Sequence, residues 1–305
     1  MLISEIGKRG TLFTFQDGDS PMGGDTSVYL ISGKERLYLC DTYLGIGSMK
    51  PIIDYIDRRY SEKQLVVFNS HSDFDHIWGN GAFPTSDVIS HSKTRKRMQE
   101  RWKFDYNRLS RLRDGEVIEK LPNITFNSNM KFEDDGIEFR YAPGHTACSS
   151  VCIDLEDSVI FAGDLIEEPV PVILSSDLIT YYETLKSLMD MDFETLISAH
   201  SGVSDRTLLS KNIEYVKSLF LRERIEFPEG EDHGAHEFNV KHLVYLKYED
   251  MARELEGSGF NFDAFKKRFW EILGVGQDMM SIESKLMMDT PEEDFERAWR
   301  EYCKE

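Results

Sequence analysis

A chain of 305 residues that is 40% apolar and 12% aromatic can bury a sizeable core, as one large domain or as a medium domain with an addition. Its 36 Lys and Arg stand against 55 Asp and Glu, a net charge of −19 at pH 7. That field repels nucleic-acid phosphates and anionic membrane surfaces over about 8–10 Å, and argues against both as partners.

At the N-terminus Glu5 interrupts an apolar stretch too short for the centre of a signal peptide. No run anywhere reaches the roughly 18 apolar residues of a membrane span. Residues 11–16 and 26–32 read as strands, and 36–41 pairs with the second across a turn at Gly33-Lys34. Residues 48–60 set Ile52, Ile53, Ile56 and Tyr60 at the period of a helix. A short buried strand over 64–69 leads straight to His71, and another over 88–90 leads past His91 into a basic helix. There Arg95, Lys96, Arg97, Arg101, Lys103, Arg108, Arg111 and Arg113 alternate with Met98, Trp102, Tyr106, Leu109 and Leu112. The run reads as the solvated face of an amphipathic helix, with a rim for anionic substrates as the sharper reading.

Strands follow over 137–142, 149–155 and 158–162, then a helix over 179–191, a strand over 194–199 and a helix over 204–221. Such alternation argues for a layered α/β domain. Cys148 and Cys152, four apart on one of these strands, share a face and read as small core residues. Four cysteines without a CxxC pattern fit a reducing compartment, so the expected location is cytoplasmic. The charged stretch 226–233, with Pro228 and Gly230, reads as a linker between a domain over 1–225 and a mostly helical region over 234–305. Helices are expected there over 248–255, 262–273 and 291–302, the last capped at Asp289-Thr290 with Pro291 in its first position. This region could be a lid, a homodimer contact or a surface for a partner.

The chemistry gathers at strand ends. His71-Ser72-Asp73-Phe74-Asp75-His76 puts four metal-ligating side chains, His71, Asp73, Asp75 and His76, into six residues directly after a buried strand. His145, Asp164 and His200 each follow a later predicted strand. Five of the eight histidines, counting His91, are strand-terminal, whereas random placement would scatter them over loops and helices. His233, His236 and His242 lie in or after the linker and are not counted as ligands. Ser149 and Ser150 belong to strand packing rather than to a nucleophile. The Pro-stiffened segment 167–174 could wall a substrate pocket, and Tyr181 and Tyr182 could reach toward it or simply pack.

The set resembles the metallo-β-lactamase superfamily, whose usual signature is HxHxDH, then a His, a bridging Asp and a final His. His71, Asp75, His76, His145, Asp164 and His200 match in order, as do Asp41-Thr42, Gly79-Asn80, Pro143-Gly144-His145-Thr146 and Gly163-Asp164, over roughly residues 10–222. The resemblance implies an α/β fold of four αββα layers with the site at one edge of the two sheets. It implies that His71, Asp73 and His145 hold one metal, that Asp75, His76 and His200 hold a second, and that Asp164 bridges them. Asp73 departs from the pattern, which usually has His there, and adds a negative charge and a hard oxygen ligand. That moves the expected pair of divalent ions from Zn toward Fe, with Mn also admitted. The flavodiiron branch has a Glu at this position and holds two irons. Asp41 is expected to orient a ligand imidazole, or else only to form a turn.

Two metals about 3.5–4 Å apart can share a water and lower its pKa from about 15.7 toward about 7. The expected activity is therefore hydrolysis of a small ester, thioester, lactone or phosphoester by the bridging hydroxide, with Asp75 both ligating and accepting a hydrogen bond from the nucleophilic water. The alternative is a di-iron protein that binds or reduces O2 or NO without a flavin domain of its own. A third reading is a metal-bound scaffold that acts through its helical region.

Overall fold

Period-two alternation along the strands decides the layers. The computed structural model describes residues 1–16, 24–60, 62–228, 233–274 and 290–304. Strands β1 (Leu2–Ile6), β2 (Gly10–Phe15), β3 (Thr26–Ser32), β4 (Arg36–Cys40), β5 (Gln64–Asn69), β6 (Asp87–His91) and β7 (Ile124–Phe126) form one sheet in chain order. Strands β8 (Asn129–Phe132), β9 (Ile137–Tyr141), β10 (Ser150–Asp154), β11 (Val159–Gly163), β12 (Thr195–Ser198) and β13 (Gly202–Ser204) form a second, in the order β13-β12-β11-β10-β9-β8. Along β3 and β4, Val28, Leu30, Leu37 and Leu39 face one core while Tyr29, Ile31, Tyr38 and Cys40 face another. Along β10 and β11, Val151, Ile153, Ile160 and Ala162 turn outward, and Cys152, Val159 and Phe161 turn in toward the first sheet. Successive side chains of a strand point to opposite faces, so strands that are apolar throughout are sandwiched on both sides.

Helices fill the outer layers. Helix α1 (Ile46–Arg59) packs Met49, Ile52 and Ile56 on the first sheet together with Met98 of α3 (Ser92–Arg108). Helices α4 (Leu178–Met189) and α5 (Arg206–Leu221) pack Leu185, Leu188, Leu209 and Val216 on the second. Between the sheets Phe68 stacks on Phe139 at 4.2 Å and Tyr29 lies along Phe161 at 6.3 Å. The result is the expected four αββα layers.

Topology then brings the strand ends together. Strand β4 runs parallel to β5, and β11 parallel to β12, so the C-terminal ends of each pair share one edge. The sheets are stitched there by Ser150 N–H to the Ser70 carbonyl at 2.8 Å and Ser27 N–H to the Ala199 carbonyl at 2.7 Å. Gly163 ends β11 with φ +57, and a Cβ on it would lie 2.7 Å from Ser70 Oγ, so neither the backbone angle nor the space admits a side chain.

Three further helices, α6 (Gly234–Glu256), α7 (Phe262–Ile272) and α8 (Glu292–Tyr302), enclose a core of their own around Tyr245, Tyr248, Phe269, Trp270 and Phe295. They lean on the sandwich. Phe262 meets Phe104 of α3 edge-on at 5.5 Å, and Arg253 reaches Glu100 at 3.4 Å. Asn239 donates to the Pro171 carbonyl at 2.8 Å and accepts from Ile173 N–H at 2.8 Å.

Several details differ from the sequence reading. Strands β1, β7, β8 and β13 were not anticipated; β7 and β13 have three residues each, and β1 lies exposed at the sheet edge. Helix α6 begins at Gly234, well before residue 248, because buried Asn239 and His242 interrupt its apolar period. Pro291 is the residue before α8 rather than its first, with an extended ψ of 146. Asp289 of the expected cap, and residues 229–232 of the expected linker, fall outside the described residues. Cys148 precedes β10 instead of lying on it, although Cys40, Cys148 and Cys152 are buried and unpaired. Among the described residues no helix is long and apolar enough to cross a membrane.

Candidate metal centre

The chain leaves β5 at Asn69 and turns through Ser70 to Asp73 before the single-turn helix α2 (Phe74–Ile77). Asp73 occupies the N-cap position, yet its side chain makes no capping hydrogen bond. It turns instead toward the imidazoles, with Oδ2 3.6 Å from His71 Nε2 and 3.5 Å from His145 Nε2. On the other side Asp75 Oδ2 lies 3.4 Å from His76 Nε2 and 3.3 Å from His200 Nε2. Asp164, one residue beyond β11, sits between the two groups. Its Oδ2 is 3.5 Å from His71, 3.2 Å from His76, 3.7 Å from His145 and 3.3 Å from His200, each at Nε2. All seven side chains named as ligands from the sequence thus converge on one place.

The four imidazoles are oriented alike. Their Nδ1 atoms face outward to acceptors: His71 to Ser70 Oγ at 2.9 Å, His76 to Asp41 Oδ2 at 2.8 Å, His145 to the Val172 carbonyl at 2.7 Å and His200 to the Asp25 carbonyl at 3.0 Å. These partners assign a proton to Nδ1 and turn each Nε2 to the carboxylates, where it can ligate a cation once its own proton is lost. The Nε2 atoms of His71, His76 and His145 and Oδ1 of Asp164 are buried without a hydrogen-bond partner. Buried polar atoms are rarely left so, and a cluster of them asks for a ligand.

These residues fit divalent cations. Atoms that each lie about 2.0–2.2 Å from one tetrahedral ion stand roughly 3.4 Å apart, the middle of the spacings here and too long for good hydrogen bonds. Among the described residues, three groupings could hold an ion: His71, His145 and Asp164; Asp75, His76 and His200; and Asp41, His71 and His76. The last meets His76 on its outward Nδ1, where Asp41 is already engaged. The charges agree. Burial and the neighbouring His76 push His71 down, but Asp164 and Asp73 outweigh them and push it up to about 10. Burial would raise the carboxyls of Asp73, Asp75 and Asp164, yet the imidazoles hold all three well below the usual carboxylate range. The imidazoles supply the positive charge that keeps the three buried carboxylates ionised, and a cation bound at the Nε2 atoms would supply it in their place.

Asp41 has both features considered for it. Its φ of 64 makes a left-handed turn after β4, and its carboxylate accepts from His76 Nδ1, from Ser70 N–H at 2.7 Å and from Ser70 Oγ at 2.6 Å. Ser70 was not singled out in the sequence, although it is the link from Asp41 to His71. A second network was also missed. Asn69 donates to the His76 carbonyl at 3.0 Å, and Thr42 donates to Asn80 Oδ1 at 2.9 Å, pinning the α2 turn. Polar residues at the end of an otherwise apolar strand were the available signal.

Other candidates fall elsewhere. Tyr181 is fully buried and donates to the Leu165 carbonyl at 2.8 Å, so it packs and does not reach a substrate. Tyr182 lies half-buried against the same core. His91 caps α3, accepting from Lys93 N–H at 3.2 Å, and stacks on Tyr141 at 3.9 Å. His233 rests near Phe227, and His236 bonds Tyr215 at 3.1 Å. His242 bonds the Ile173 carbonyl at 2.9 Å and, with Asp73, lines a cavity beside the centre. In segment 167–174, Glu167 is pushed up to about 7 by burial and by the charge of Asp164.

A layered sandwich with a His/Asp centre at its edge is the architecture of a known class. The chain belongs to the metallo-beta-lactamase superfamily, whose family model matches residues 21–200, more than half of its length. Solved structures are similar in fold. The metallo-beta-lactamase from Pontibacter korlensis has 17% identity and a TM-score of 0.57, covering 71% of this chain and 98% of that one. That from Hirschia baltica has 16% and 0.55, covering 70% and 96%, and the DIM-1 metallo-beta-lactamase 14% and 0.58, covering 72% and 97%. At such identities the likeness carries the fold alone. No curated protein matches the chain.

Proposed function

We propose that the chain is a binuclear metal-dependent hydrolase of a small ester, thioester, lactone or phosphoester. The observation that carries this is Asp164 Oδ2, placed 3.2–3.7 Å from all four inward Nε2 atoms and between two further carboxylates. His71, Asp73 and His145 would hold one ion, Asp75, His76 and His200 the other, and Asp164 both. Two divalent cations bound there supply Lewis acidity for a carbonyl or phosphoryl oxygen and make water a nucleophile near neutral pH.

The protein's own groups do the rest. Asp75 turns Oδ2 to His76 and His200, stays ionised, and offers its other oxygen as acceptor for the proton of the attacking water. Asp41 and Ser70 hold His76 and His71 in register, while the backbone carbonyls of Val172 and Asp25 do the same for His145 and His200. The −19 charge disfavours nucleic acid as substrate. The di-iron alternative rests on Asp73 and gains no further observation from the fold.

The test is a panel of small esters, thioesters, lactones and phosphoesters, assayed with the full chain before and after chelation and after reconstitution. Turnover on at least one class, abolished by chelator and reduced by at least about a hundredfold in Asp75→Asn, is expected. Absence of metal-dependent turnover in every class would overturn the reading.

A further inference from the structure

Helix α3 carries its cations on two faces. Lys96 and Lys103 point to solvent, the solvated face expected from the sequence. Arg97, Arg101 and Arg108 follow one another at intervals of four and seven, which places them in one stripe. That stripe faces α6 and α7, not water. The side chains of Arg101 and Arg108 are only 17% and 20% exposed.

Between α3 and these helices lies a cavity of about 150 Å³, walled by Arg97, Arg101, Arg108, Lys266, His242 and, at the metal centre, Asp73. A second cavity of about 210 Å³ continues from it past Arg97 and Leu174 toward Lys93 and Arg253. Leu174 joins them to the centre, because its N–H donates to the His145 carbonyl at 2.8 Å. The four cations of the first cavity, Arg97, Arg101, Arg108 and Lys266, face three acids, Asp73, Asp105 and Glu249, which leaves a local excess of positive charge in a chain of net charge −19.

The acids that face the recess have partners of their own. Asp105 accepts from Arg101 at 3.2 Å, and Glu249 accepts from Arg253 at 2.9 Å. Arg97 lies close enough to Glu249 for its charge to help hold that carboxyl below the ordinary value, yet no hydrogen bond or ion pair joins its guanidinium to another described residue, and its Nε, like that of Arg108, is buried with no hydrogen-bond partner. A guanidinium offers a planar fork of donors that matches a carboxylate or phosphate. Both cavities fall short of the roughly 300–1,000 Å³ of drug-sized pockets, so they suit a small head group.

We propose that this recess binds the anionic end of the substrate, with Arg97 as its principal donor and Arg101 beside it. The substrate class then narrows to small esters or thioesters that carry a second oxyanion, a carboxylate or a phosphate, a few atoms from the scissile bond. The proposal rests on the hydrolase reading only for where that bond lies.

Binding is measured apart from turnover, as the thermal shift of the full chain with inorganic phosphate or with propionate, in metal-loaded and in chelator-treated protein. Wild type and Lys103→Gln should be stabilised by at least one of the two anions in both metal states, and the more effective one identifies the head group. Arg97→Gln should need about tenfold or more anion for the same shift. Arg97→Lys, which keeps charge but not the fork, should fall between, and it carries the comparison if the Gln variant does not fold. In turnover, Arg97→Gln should lose about tenfold in kcat/KM on a succinate monoester relative to the corresponding neutral diester. Equal shifts in wild type and the Arg97 variants, or no shift in wild type with either anion, would overturn the proposal. The two readings fail separately: loss of the hydrolase reading leaves the Arg97-dependent shift without turnover, and loss of this one leaves turnover indifferent to substrate charge and to Arg97.

Discussion

Asparagine in place of Asp41 separates two roles that one residue combines. Asp41 takes a left-handed backbone at φ 64, and Asn is the side chain that, after Gly, best tolerates that region, so the turn should survive. The carboxylate will not. Oδ2 accepts from both His76 Nδ1 and Ser70 Oγ, at 2.8 and 2.6 Å, and an amide nitrogen at that position would meet two donors. An amide oxygen turned to that side would instead leave the nitrogen against Ser70 N–H, now 2.7 Å from Oδ1. In either orientation His76 loses the charge that fixes its proton on Nδ1. Groups that orient ligand imidazoles in this way are typically worth about 10–100-fold in metal affinity, or roughly 1.4–2.7 kcal/mol. Asp41→Asn should therefore weaken metal binding by about that factor in competition with a chromophoric chelator, with near-native secondary structure by circular dichroism. Metal affinity within about twofold of wild type would show that Asp41 only makes the turn.

Gly163→Ala should destabilise the protein by at least about 1–3 kcal/mol in urea unfolding, from the left-handed backbone and from the Cβ driven onto Ser70; a neutral result would refute that packing. Asp73→His, which restores the superfamily's usual ligand, should raise the ratio of bound Zn to bound Fe in protein loaded from an equimolar mixture, and an unchanged ratio would remove Asp73 from metal selection. Asp135 gives a pH signature away from the centre. Burial would raise its carboxyl, but donors from Tyr38 at 2.6 Å and Glu35 N–H at 2.6 Å, with Arg36 nearby, hold it below the ordinary value. With the folded pKa lowered, its contribution is complete above the unfolded value of about 3.9 and fades as pH falls below it. The Tm gap between wild type and Asp135→Asn should be constant from pH 7 down to about 5 and shrink below about 4. A gap that does not change with pH would contradict this.

What the sequence made legible follows from what each signal measures. Apolar runs such as those of β5 and β11 announce strands buried on both faces, and ligands placed just past them announce an edge of the sandwich. The pairing of His71 with Asp73 and His145, and of Asp75 with His76 and His200, could be stated only through the family's pattern, because it depends on which parallel strands lie side by side. The direction of a helix face was not legible. Arg97 and Lys96 are neighbours of like charge in the sequence, and only the packing of α6 and α7 against α3 sends one inward and leaves the other in water. The first half of α6 was hidden for a related reason. Asn239 and His242 are buried because they bond the backbone of residues 171–173, a long-range use of polar side chains that no local period records.

On this reading the seven side chains form a two-ion centre. Elemental analysis of the untagged full chain, purified without added metal and again after reconstitution, tests it most directly. About two transition-metal ions per chain are predicted, whether Zn, Fe or Mn. A content well below one per chain that reconstitution does not restore would contradict the assignment of the ligands and the hydrolase reading built on it.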